Sequence, residues 1–197
     1  MIGGSLRRRL DRTQSSEKVS MPTIMTHAVV GLGMARVFTD RSMPPLYWGL
    51  AATLSMLPDI DVVAFPLGIP YGARFGHRGF SHSLCCAAVT GTITGLLTAS
   101  HLGMSWWALA AFFSVVMASH GILDAMTNGG LGIALLSPID PTRYFFPWRP
   151  VQVSMIGFGF FTRWGVRALL SEIGWIWIPT IAIVGAVELW RGHIFAA

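Results

Sequence analysis

The sequence predicts an all-α fold, a multi-pass transmembrane bundle of about four to five membrane helices with a metal site at one end. Three observations predict it. First, 53% of the 197 residues are hydrophobic and only 12% are charged, about half the share of a soluble domain. Second, long apolar segments recur along the chain. Third, the histidines and aspartates inside the apolar part gather at particular segment ends.

The charge distribution sharpens the first point. Seven of the 23 charged residues lie in the first 20 positions, leaving 16 among the other 177. A water-exposed surface cannot be built from that remainder. Intrinsic disorder, collagen and a disulfide scaffold are excluded on the same grounds. The net charge of +5 divides into +3 for the first 20 residues and +2 for the rest. The basic residues form no clustered face, which excludes a nucleic-acid partner. The adjacent Cys85 and Cys86 point about 100° apart on a helix and read as small packing residues.

Residues 1–20 are polar, with no apolar stretch of signal-peptide type, and read as a disordered basic tail. Met21 opens the apolar protein and is a candidate start. Residues 21–197 read as one integral-membrane domain. The first segment, about His27–Phe38, is short for a span but carries glycines suited to close helix packing. The second, Leu46–Leu57, is stopped by Pro58. The third is Ser83–Ser100. The fourth, Met104–Ala118, continues towards Met126. The fifth, Ile173–Trp190, has tryptophans near its ends as interfacial anchors. Between the last two lies a Gly-, Pro- and aromatic-rich stretch, with Val151–Phe161 read as interfacial.

Ionisable residues in apolar segments are costly and mark function by default. Here they form four groups: His27; Asp59 and Asp61; His77, Arg78 and His82; His120 and Asp124. His27 starts the first segment, the Asp pair follows the end of the second, His82 begins the third, and His120 and Asp124 end the fourth. In an up-down bundle the starts of odd helices and the ends of even ones share a side. All four groups therefore meet at one end. Taken singly, each has an ordinary explanation: a turn cap, an interfacial histidine, a hydrogen-bonded i,i+4 pair. Their convergence favours a divalent metal. His120 and Asp124 share a helix face, and His77 and His82 sit in a glycine-containing turn. Seven N/O ligands without a thiolate suggest Zn²⁺, with Mn²⁺ or Fe²⁺ as alternatives, as one or two ions. His101 and His193 belong to no group and read as interfacial.

At these residues the chain resembles a known family. Met21-Pro22-Thr23-Ile24-Met25-Thr26-His27-Ala28, Leu57-Pro58-Asp59-Ile60-Asp61, His77-Arg78-Gly79-Phe80-Ser81-His82-Ser83 and His120-Gly121-Ile122-Leu123-Asp124-Ala125-Met126-Thr127 look like the YdjM-like inner-membrane proteins. These are described as LexA-regulated, membrane-bound, metal-dependent hydrolases. The resemblance covers about Met21 to Pro150. It implies an inner-membrane hydrolase with a distant likeness to helical zinc-dependent phospholipases C, in which helices deliver His and Asp to clustered zinc ions. It supplies no substrate.

The expected chemistry is metal-activated water acting on a phosphate-containing lipid or similar amphiphile, with Asp59 or Asp61 as bridging ligand or base. Arg78 is placed to meet a phosphate through its planar fork; a salt bridge to Asp61 or an interfacial position is the alternative. Asp140, Arg143 and Arg149 read as loop residues. Ser81 and Ser83 read as caps. Two other classes remain open: a structural metal staple, and a metal or proton transporter. The latter expects polar groups near mid-membrane, where segments three and five have none. Eleven basic residues fall on the site-bearing side against Arg36, Arg41 and Arg191 opposite, which puts the site in the cytoplasm.

Overall fold

The computed structural model describes residues 20–21, 23–39, 42–155 and 161–195. The basic tail read over 1–20 lies outside them, except for Ser20. Helix α1 (Ile24–Phe38) is followed by α2 (Pro45–Met56), which carries Pro45 in its first turn. Pro58 ends α2, and the chain tightens into a 3-10 stretch, Leu57–Ala64. A second short 3-10 turn, Phe80–His82, leads into α3 (Leu84–Leu102). The Ser83 hydroxyl caps α3 by accepting from Cys86 N at 3.1 Å. Gly103 ends it in the left-handed conformation, φ 61°. Helix α4 (Trp106–Ala125) returns antiparallel.

Glycine sets the helix packing. A Cβ on Gly91 would stand 2.3 Å from Ser114 N, and one on Gly95 would stand 2.4 Å from Ala110 N. The α3 and α4 backbones therefore touch along an i,i+4 seam. Gly31 lets α1 press on Ala51 and Ser55 of α2 in the same way. Ala35, Tyr47, Leu54, Leu109, Phe113 and Val116 form the centre of the core, with the Tyr47 hydroxyl bonded to the Ala35 carbonyl at 3.0 Å.

Residues 126–155 fold irregularly back across the site end. A two-residue ladder pairs β1 (Ser20–Met21) with β2 (Ser154–Met155). The final helix begins ten residues before the expected start. It runs as α5 (Arg163–Glu172), a π turn (Ile173–Trp177) and α6 (Ile178–Phe195). Arg163, Arg167 and Glu172 break the apolar run in sequence, yet as a helix they leave Trp164, Val166 and Leu170 exposed together. An apolar-run reading stops at such a segment. Part of the expected interfacial stretch, residues 156–160, lies outside the described residues.

Among the described residues, three helices are long and apolar enough to cross a membrane: Leu84–Leu102, Trp106–Ala125 and Arg163–Gly192. Helix α1 is apolar but has only 15 residues, and α2 has 12. Among the described residues the full-length spans thus number three, and the two shorter helices complete the bundle. Cys85 and Cys86 are both free thiols.

Candidate metal centre

The four ionisable groups meet at one end of the bundle. Asp59, His82, His120 and Asp124 each offer one ligand-type atom, all within 4.8 Å of one another. Asp61, His77 and His82 form an adjoining group on the same criterion. His27 reaches the first group from α1, with its Nε2 3.6 Å from Asp124 Oδ1 and its ring stacked on His120 at 3.7 Å. His27, His77, His120 and Asp124 are fully buried, and Asp59 and Asp61 nearly so. His101 is exposed at the far end of α3. The side chain of His193 is outside the described residues.

Local sequence orients each imidazole. In a 3-10 turn the carbonyl of Ser55 would accept from residue 58, but Pro58 has no N–H. That carbonyl instead lies 2.8 Å from His120 Nδ1, so His120 donates there and turns Nε2 towards the cluster. His82 Nδ1 lies 3.1 Å from Asp61 Oδ2, which turns its Nε2 inward as well. The two Nε2 atoms face each other at 3.0 Å. His82 Nε2 is 3.6 Å from Asp59 Oδ1 and 3.5 Å from Asp124 Oδ2. His120 Nε2 is 3.3 Å from Asp59 Oδ1.

The two aspartates of the Leu57–Asp61 motif differ in their surroundings. Asp61 accepts from Ser81 Oγ at 2.5 Å and Arg78 N at 3.1 Å, and meets His77 Nδ1 at 2.6 Å beside the His82 contact. Asp59 has no hydrogen bond on either oxygen. Burial works to raise the pKa of both, but imidazoles outweigh it: His120 and His82 beside Asp59, His77 and His82 beside Asp61. Both carboxylates are held below the usual range. For His82 burial opposes the charge, and Asp124, Asp59 and Asp61 outweigh it, holding its pKa well above the ordinary value. Positive charge is favoured at this point, as a proton or as a cation.

The residues fit a divalent ion. His27 Nδ1 and Nε2, both Asp59 oxygens, both Asp124 oxygens and His77 Nε2 are buried without a hydrogen-bond partner. Such groups are rare unless something pairs with them. They are hard-to-borderline N and O donors, which suit Zn²⁺, Mn²⁺ or Fe²⁺.

The alternative weighed for Arg78, a salt bridge to Asp61, does not form. Only its backbone N–H meets Asp61; its guanidinium Nε lies 2.9 Å from Asp124 Oδ2, and Nη1 donates to the Gly129 carbonyl at 2.8 Å. The residue is fully buried and holds φ 60°, a left-handed conformation unusual outside glycine. Arg143, expected as a loop residue, is instead a staple. Its Nη1 and Nη2 donate to the carbonyls of Tyr71, Ala73, His77, Arg78 and Gly132 at 3.0–3.3 Å.

Glu172 is a residue the sequence reading missed. It is fully buried and accepts from Thr23 N at 2.7 Å and from the hydroxyls of Thr23 and Thr26. Trp177 Nε1 also donates to Thr26 Oγ1, at 2.7 Å. The first turn of α1, which delivers His27, is thus capped by a carboxylate from another helix. An acid at the edge of an apolar segment was the available signal. Glu172→Ala leaves an amide and two hydroxyls without their acceptor, so thermal unfolding should show a loss of about 1–3 kcal/mol. Metal affinity should fall with it, and Glu172→Gln should retain more of both.

Comparison with known proteins agrees with this picture. No solved structure matches the chain. The inner membrane protein YbcI of Escherichia coli (strain K12) is 35% identical over 177 residues, covering 87% of this chain and 99% of that relative. The family model described as YdjM inner membrane protein matches residues 21–194. The chain is a membrane protein with a candidate His/Asp metal centre at one end of its bundle, and it belongs to the YdjM inner membrane protein family.

Proposed function

We propose that this protein is a metal-dependent hydrolase of the inner membrane, acting on a phosphate-containing lipid or a similar amphiphile at a centre that faces the cytoplasm. One observation carries the reading. Buried carboxylate and imidazole atoms without hydrogen-bond partners, from Asp59, Asp124 and His27, sit with the inward Nε2 atoms of His82 and His120. Those five residues would hold the ion, with Asp61 and His77 adjoining. When bound, a divalent ion polarises a phosphoryl or acyl oxygen and brings the pKa of water towards 7.

The chain's own residues supply the rest. Asp61 already accepts from or meets four groups, so its work is to orient His77 and His82. Asp59, with both oxygens free of hydrogen bonds among the described residues, is the one of the two open to the ion. Arg78 braces Asp124 and keeps Nη2 without a partner. The cytoplasmic orientation rests on the excess of basic residues on the site side. The lipidic substrate rests on the position of the centre at the end of a membrane bundle.

The test is a screen of phospholipids and lipid phosphates with purified protein in detergent. Chelation should abolish turnover, and Zn²⁺ or Mn²⁺ should restore it. Arg78→Lys should keep its metal, by elemental analysis, and lose at least about tenfold in turnover of a phosphate substrate, because lysine lacks the planar fork. A metal held in closed coordination, with no turnover of any amphiphile, would favour the structural staple.

A further inference from the structure

Beside the metal centre, two neighbouring side chains each keep a donor that no hydrogen bond uses, Tyr71 Oη and Arg78 Nη2. Tyr71 Oη is buried without a hydrogen-bond partner among the described residues. Arg78 is fully buried; its Nε is ion-paired with Asp124 Oδ2 and its Nη1 donates to the Gly129 carbonyl, which leaves Nη2 without a partner among the described residues. The two side chains meet over Gly130. A Cβ on Gly130 would stand 2.6 Å from Tyr71 Oη and 2.7 Å from Arg78 Nη1, and Gly130 itself has φ 82°. Any residue but glycine would crowd both side chains and would be strained in that conformation.

The surroundings hold these donors in place. Arg143 binds the carbonyls of both Tyr71 and Arg78 and lies 5.7 Å from the centre of the Tyr71 ring. Two guanidinium groups therefore flank one phenol. Arg78 is tied to the metal centre through Asp124, at 2.9 Å. Gly130 is exposed and Tyr71 partly exposed, while Arg78 is fully buried. The unpartnered Nη2 of a buried arginine and an unpartnered phenol, beside an exposed glycine turn, are the donors that would receive an oxyanion.

We propose that Tyr71, Arg78 and the Gly130 turn form an oxyanion subsite beside the His/Asp centre, which takes the phosphoryl group of the substrate. The proposal deepens the hydrolase reading and rests on it for the identity of the neighbouring centre. It assigns to Tyr71 a direct contact with the ligand. It also names the ligand chemistry: a tetrahedral phosphate bearing at least two unesterified oxygens, one for each donor.

The experiment measures binding before turnover. Metal-loaded protein in detergent is titrated with inorganic phosphate and, separately, with a short-chain phosphatidic acid, by calorimetry. Tyr71→Phe removes one hydrogen bond and little volume. It should keep its metal and its Tm, and bind both ligands about tenfold more weakly. Equal binding by wild type and Tyr71→Phe overturns the subsite. Inorganic phosphate should also raise the Tm of the loaded wild type, whereas chloride at equal ionic strength should not. Absence of that rise overturns the subsite without any variant. A stronger response to phosphatidic acid than to inorganic phosphate identifies a lipid headgroup as the ligand, and the reverse identifies free phosphate. Phosphate binding weakened by Tyr71→Phe, with no turnover of any amphiphile, keeps the subsite and removes the hydrolase. Turnover of a short-chain carboxyl ester alone, with no phosphate binding, keeps the hydrolase and removes the subsite.

Discussion

Purified His120→Ala protein should lose its metal, with affinity lower by at least about 100-fold, because even outer partners of a metal ligand are worth 10–100-fold. Asp124→Ala should lose metal too, and it should also unfold more readily. Asp124 is the carboxylate beside the buried Arg78 guanidinium, 2.9 Å from Nε. Its removal leaves a charge buried without its counter-ion, a defect of about 3–5 kcal/mol. His120→Ala creates no such orphan charge. The pair should therefore separate in thermal unfolding while agreeing in metal content, as read by elemental analysis of protein purified without chelators. Full occupancy in His120→Ala would remove that residue from the ligand set. Turnover should vanish in both variants.

Gly91→Val should prevent the α3–α4 hairpin from closing. The added Cβ would meet the Ser114 backbone at 2.3 Å, where no side-chain rotamer can relieve the contact. The cost should be about 3 kcal/mol or more, at the upper end for overpacking. Because α4 carries His120 and Asp124, the metal should be lost with the hairpin. Gly185→Ala is the control. Nothing lies within 4 Å of that position, so the variant should gain about 0.5–1 kcal/mol from helix propensity. A Gly91→Val protein as stable as wild type would refute the close seam. Unfolding in graded detergent denaturant measures all three.

The parts of the molecule legible in sequence are those written in composition and order. The scarcity of charge gives a helical membrane protein, and the alternation of segment starts and ends gives a shared end for His27, Asp59, His82 and His120. That logic needs only that consecutive helices run antiparallel. It holds although α1 and α2 are shorter than a full span. What escapes is what depends on contacts between distant segments. Glu172 lies 149 residues from Thr23, whose amide it accepts, and no local pattern announces such a cap. Arg143 sits among Pro-rich loop residues, and only the fold shows that it faces five carbonyls. Tyr71 lies in a turn with no periodicity at all. Asp59 and Asp61 look equivalent on paper. They part because a 3-10 stretch turns one towards the His82 and His120 Nε2 atoms and the other into the loop of His77 and Ser81.

Helix α1 is clamped to the last helix at both ends. Glu172 caps its first turn, and at its far end Arg36 pairs with Glu188 while Arg191 donates to the carbonyls of Arg36 and Val37. Glu172 and Glu188 are sixteen residues apart, so the apolar slab between the clamps is about 24 Å deep at 1.5 Å per residue. A bilayer core is about 30 Å thick. The lipid beside α1 must compress or tilt to meet that depth, at a modest cost per ångström. A local dimple of this kind would bring the headgroup plane closer to His27. For the lipid substrate proposed above, such a dimple would shorten the distance from the headgroup plane to the centre.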